Sequence, residues 1–74
     1  MRLDRVDENS NRTFVGNANS VDEALGMIMG WCHKNHTKVF YIRWSEHQDH
    51  FWFDYGSHTC FFELMKKLDK TQVV

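Results

Sequence analysis

Residues 38–56 read Lys-Val-Phe-Tyr-Ile-Arg-Trp-Ser-Glu-His-Gln-Asp-His-Phe-Trp-Phe-Asp-Tyr-Gly and hold seven of the chain's eleven aromatic rings. The stretch reads as a β-hairpin turning about Gln48 and Asp49, with His47 opposite His50. Carried back along the strands, that register opposes Trp44 with Phe53 and Ile42 with Tyr55. On the other surface it opposes Arg43 with Asp54 and Ser45 with Trp52. Side chains alternate along a strand, so a single register gathers the apolar residues on one face and an opposite-charge pair on the other. Phe40, Ile42, Trp44, Phe51, Phe53 and Tyr55 are expected to face the core. Tyr41, Arg43, Trp52 and Asp54 are expected on the face that looks away from it.

Working outward, Gly56-Ser57-His58-Thr59 breaks the second strand and suits a helix cap. Cys60, Phe61, Leu64, Met65 and Leu68 then recur at helical spacing, which predicts a second helix and leaves Phe62 off its apolar stripe. A strand over His58–Leu64 is the competing reading, since Thr-Cys-Phe-Phe has β character. The closing Thr71-Gln72-Val73-Val74 is expected to fray.

Upstream of the hairpin, Ser20-Val21-Asp22-Glu23 has the form of a capping box. The Ser20 hydroxyl would accept the Glu23 amide, and the Glu23 carboxylate would return to the Ser20 amide. The helix that follows, drawn from Val21 to about Lys34, puts Val21, Leu25, Ile28 and Cys32 on one stripe, flanked by Ala24 and Trp31. Asn35 is expected to end it in the left-handed conformation. Gly26 and Gly30 lie four apart within it, a spacing that predicts a close approach to a neighbouring surface or across a dimer interface. The first nineteen residues are polar, and Glu8-Asn9-Ser10-Asn11 has turn composition, so residues 2–7 and 12–17 are expected to form a hairpin.

The predicted fold class is therefore α+β, one domain over residues 1–74. A small antiparallel sheet built on the central 38–56 hairpin is covered on one face by two helices, in the order (ββ)αββα.

Seventy-four residues bury only about 60% of the surface their unfolded chain exposes, which predicts a marginal stability of roughly 3–5 kcal/mol. Dimerisation is a common remedy. Nine basic and ten acidic side chains leave a formal net charge of −1. That balance argues against a general phosphate-backbone binder and against an acidic mimic of DNA. No apolar run approaches the roughly 20 residues that cross a bilayer, and Met1 to Glu8 lacks the apolar core of a signal peptide. A cytoplasmic protein with two reduced thiols is expected, and no membrane partner.

Five histidines and two cysteines raise a metal hypothesis. Cys32 and His36, joined by His58 and Cys60, would make a Cys2His2 set suited to zinc. The C-x3-H and H-x-C spacings match no strong zinc signature, and two core thiols are the simpler expectation. Cys32 beside His33, and Cys60 near His58 and Ser57, are the nearest approaches to a nucleophile with a base, with no evident oxyanion hole. The residues predict no cofactor and no catalytic group.

What remains is the open hairpin face. Tyr41, Arg43, Trp52 and Asp54 are of the types enriched in protein–protein hot spots, and they are the candidate partner-binding residues. The expected function is non-enzymatic, a stoichiometric binder of another protein or of a second copy of itself. Small inhibitors that phages and mobile elements encode against host nucleases or defence enzymes act in this way, and that class is expected by analogy. The alternative is a single-stranded nucleic-acid-binding module stacking bases on the aromatic sheet face.

Overall fold

The computed structural model describes residues 1–66. Its elements are β1 (Arg2–Val6), β2 (Arg12–Asn17), α1 (Val21–Lys34), β3 (Arg43–Glu46), β4 (His50–Asp54) and β5 (Phe61–Met65). All strands pair antiparallel in one sheet of order β2-β1-β5-β4-β3. Two local hairpins, β1–β2 and β3–β4, are thus joined side by side through the last strand.

Both hairpins form where expected. The central one keeps the predicted register, with Arg43 opposite Asp54, Trp44 opposite Phe53 and Ser45 opposite Trp52. His47 donates its amide to the His50 carbonyl at 2.8 Å and closes the turn. The ladder does not run on to Ile42 and Tyr55. Phe40 instead donates to the Tyr55 carbonyl at 3.1 Å. Gly56, at φ +95°, permits that approach, since a Cβ there would lie 2.7 Å from the Phe40 Cβ. In the first hairpin, the Asp7 carboxylate accepts the amides of Asn9 and Asn11, both at 2.9 Å, and Ser10 takes a positive φ.

The predicted two-helix, (ββ)αββα arrangement is incorrect. The order is ββαβββ, with a five-stranded sheet and one helix among the described residues. The segment read as a second helix contains β5, inserted between β1 and β4. Its burial has period two: Phe62 and Leu64 are fully buried, while Phe61, Glu63 and Met65 point to the other face and are half-buried. The strand carries large apolar residues on both its fully buried and its half-buried face, so its alternation is hidden in the sequence. Phe62, expected off the apolar stripe, is among the largest fully buried side chains. Leu68 and the tail expected to fray lie outside the described residues.

Helix α1 has the predicted bounds and buries Ala24, Ile28 and Cys32. Ser20 Oγ accepts the Glu23 amide at 3.1 Å, but the Glu23 carboxylate returns to the Asn19 amide at 2.6 Å, one residue earlier than expected. Asn35 caps the C-terminus at φ −99°, donating its side-chain amide to the Trp31 carbonyl at 2.8 Å, and the left-handed residue is His36. Gly26 and Gly30 have nothing within 4 Å of where a Cβ would stand, so the expected close approach at this pair does not occur. The tight contact lies elsewhere. Met27 reaches β2, where a Cβ on Gly16 would overlap its methyl group.

The helix packs chiefly on β2 and β5. Beneath it Leu3, Ile28, Cys32, Phe53, Tyr55, Phe62 and Leu64 form the core. Trp31 meets Phe62 edge-on at 5.6 Å, and Tyr55 lies 5.4 Å from the same ring. With no second helix over the hairpin among the described residues, part of its predicted core face stays exposed there. Trp44 is 48% exposed and Phe40 64%.

Candidate functional site

Three of the four candidate residues come together. Arg43 Nη2 lies 2.9 Å from Asp54 Oδ2, and the Tyr41 hydroxyl donates to the same oxygen at 3.3 Å. The other carboxylate oxygen, Oδ1, accepts the Gly56 amide at 2.9 Å. The Arg43 guanidinium stands 5.1 Å from the centre of the Tyr41 ring. The Arg43 hydrogen bond, followed by that from Gly56, holds the Asp54 carboxyl below its usual range. Asp54 is buried, whereas Tyr41 and Arg43 are exposed. The carboxylate therefore acts as an anchor that fixes two exposed side chains and the turn at Gly56.

Trp52 is on the same face but apart from this cluster. It leans on Phe61, centroids 6.0 Å apart, and is half-buried. Its ring belongs to the sheet more than to a contact surface.

The middle of the open face carries an ionic network that the sequence reading missed. Asp4 is almost wholly buried, with Arg2 Nε at 2.8 and 3.1 Å from its two oxygens and Arg12 Nη1 at 3.5 Å. Arg12 Nη2 bonds Glu63 Oε1 at 2.5 Å, and Arg2 covers the Phe14 ring at 4.7 Å. The register sets Asp4 beside Glu63 on one side and Phe14 on the other, so the sheet itself brings these groups together. The signal was a lone acid inside an apolar run, Glu63 between Phe62 and Leu64; Asp4, in the polar Arg2-Leu3-Asp4-Arg5 stretch, gave none. A helical reading of β5 leaves Glu63 off the apolar stripe and conceals the pairing. Each carboxylate is matched by an arginine, so the network fastens strands and offers no free acid for proton transfer.

The tip of the central hairpin stacks His47 on His50, centroids 4.8 Å apart and 14° between planes. Asp49 Oδ1 lies 2.6 Å from His50 Nδ1, and Ser45 Oγ lies 3.0 Å from His47 Nε2. Of the residues raised for zinc, Cys32 is buried, Cys60 is half-buried, and His36 and His58 are exposed. Among the described residues no group of three or more histidine, cysteine or acidic side chains is placed to hold a metal ion. Ser57 Oγ accepts the amides of Thr59 and Cys60, at 3.3 and 3.1 Å, and so orders its own loop. Burial pushes the Cys32 thiol up, which leaves it a poor nucleophile.

The outer edge of β3 is the remaining feature. All four of its residues are exposed, and no strand pairs with it on that side among the described residues. Since His47 bonds inward to His50, antiparallel alternation directs the backbone groups of Trp44 and Glu46 outward. Phe40, Tyr41 and Trp44 flank this edge at 64, 47 and 48% exposure.

The chain matches no protein-family model, no curated protein and no solved structure. No helix among the described residues is long and apolar enough to cross a membrane.

Proposed function

We propose that this chain is a non-enzymatic binding protein that engages a strand of another protein along β3. One observation carries the reading. Among the described residues, three of the five exposed large apolar side chains, Phe40, Tyr41 and Trp44, fall within a run of five residues beside the unpaired edge. Edge strands with free amides are templates for pairing, and flanking rings supply the burial that makes pairing specific. Relative to the expected surface, Trp52 is left out and two residues expected on the core face, Phe40 and Trp44, are added. Binding of this kind works by occupying the partner's surface, with Arg43 held rigid by Asp54 for a polar contact at the rim.

The nucleic-acid alternative has weaker support. Arg2, Arg12 and Arg43, the arginines of the open face, all face carboxylates, which lowers the positive potential a phosphate chain needs.

The test uses two variants. Tyr41→Ala/Trp44→Ala removes the flanking rings. Glu46→Pro deletes an outward amide while leaving the inward hydrogen bonds of β3 in place. Both are expected to keep the circular dichroism of the parent. Both should lose about thirtyfold or more in affinity for the captured partner, or dissociate a self-dimer in sedimentation. Unchanged association in both variants overturns the reading. Tight, salt-sensitive binding of single-stranded oligonucleotides would replace it with the alternative.

A further inference from the structure

Arg5 is the one arginine of four without a carboxylate partner among the described residues. It points to the helix side of β1, where its guanidinium lies 4.9 Å from the centre of the Trp31 ring. Its Nε is buried and has no hydrogen-bond partner. A buried unpaired donor costs about 1–3 kcal/mol, more when charged, and such groups are rare unless a water, a ligand or an ion completes them.

Arg5 lines an open cleft of about 900 Å³, between the segment after α1 and the loop after β4. That volume is at the upper end of small-molecule sites. Lys38 supplies a second cation to the lining, which holds His58 as well and no aspartate or glutamate of its own. Asp54 reaches it only through Tyr41 and Gly56 and is paired with Arg43. In a chain with a formal net charge of −1, this is a local concentration of positive charge. The walls carry Phe40, Tyr41 and Tyr55. Gly56 sets one of them, because only a residue without a Cβ lets Phe40 approach. The amides of Thr59 and Cys60 are already taken by Ser57, which leaves the Arg5 and Lys38 side chains as the cationic groups for an anion entering here.

We propose that this cleft binds a small planar aromatic anion of the nucleoside monophosphate kind, its charge paired with Arg5 and Lys38 and its ring against Tyr41 and Phe40. The site is separate in its chemistry from the β3 edge, though Phe40 and Tyr41 border both.

The experiment is an amide nitrogen–proton NMR titration of the whole chain with adenosine 5′-monophosphate, adenosine, inorganic phosphate and a 5′-phosphorylated oligonucleotide. The monophosphate is expected to give saturable shifts at residues 37–41 and 55–60 and at the Arg5 Nε–H resonance. It should bind about tenfold tighter than adenosine or phosphate, the worth of one charge-assisted hydrogen bond. Arg5→Gln should lose about that factor, with a modest fall in melting temperature from the lost Trp31 contact, and should remain folded at the titration temperature. Lys38→Ala, at an exposed position, should weaken binding severalfold and serves if Arg5→Gln does not fold. Glu46→Pro should bind as the parent does, so this result stands apart from the partner test. Absence of saturable shifts, shifts elsewhere, phosphate binding as tightly as the monophosphate, or binding of the oligonucleotide alone would each overturn the proposal. So would unchanged affinity in the Arg5 and Lys38 variants.

Discussion

Trp44 meets Phe51 edge-on, ring centroids 6.0 Å apart and planes at 67°, on the helix side of the sheet but beyond the strands the helix covers. Lys66 completes the group, its ammonium 5.0 Å from the Phe51 ring and 2.7 Å from Glu46 Oε2. This pair is what becomes of a predicted core contact when the element expected to cover it is a strand.

The consequence for stability is a reversal of the expected ranking. Trp44→Ala should cost about 1–2 kcal/mol, the worth of one aromatic pair and partial burial, and leave the chain folded. Phe62→Ala should cost about 3–5 kcal/mol, comparable to the whole stability of so small a domain, and unfold it. Urea denaturation followed by circular dichroism decides between these, and a folded Phe62→Ala with an unfolded Trp44→Ala would refute the placement of both rings.

Gly26 and Gly30 make the second prediction. Each stands in an exposed helix interior with open space beside it. Gly26→Ala and Gly30→Ala should each stabilise the protein by about 1 kcal/mol, raising the melting temperature by roughly 4–8 °C. A drop in melting temperature would mean that another surface approaches these positions after all.

Acid should weaken the fold through three aspartates. The Asn11 amide lowers the Asp7 carboxyl, the His50 hydrogen bond lowers Asp49, and the Arg43 hydrogen bond lowers Asp54. A carboxyl whose folded pKa is depressed adds stability that is fully present above its unfolded value, about 3.9. That stability is lost as pH falls through the lower folded value. Urea midpoints should hold steady down to about pH 5 and decline below about pH 4. In Asp54→Asn the neutral stability should be lower and the acid decline shallower, and a parent protein equally stable at pH 5 and pH 2.5 would contradict this.

The hairpins and the helix were legible because each is local. Gln48-Asp49 and Glu8 to Asn11 announce their turns, and Ser20 with Glu23 announces the helix start. The Arg43–Asp54 pairing followed from register alone. What escaped was β5, whose identity rests on contacts with β1 and β4 far away in sequence. Phe61, Leu64 and Met65 satisfy a helical spacing while Phe62 and Leu64 satisfy a strand, and only burial on both faces decides between them. Three misplacements follow from that one segment: Phe62 put outside, Trp44 put inside, and Glu63 parted from Arg12.

The strand at the centre of the sheet is the last of the five to leave the ribosome. β1 and β4 have their inner edges matched only by β5, so neither hairpin can join the other while residues 61–65 are unmade. A two-stranded hairpin is marginal by itself in water. The nascent chain must therefore carry two bare inner edges, in addition to β2 and β3, until almost all of the described residues have been synthesised. The sheet cannot close before β5 is made, and a message cut short before Phe61 would yield a product with four strand edges open to other chains.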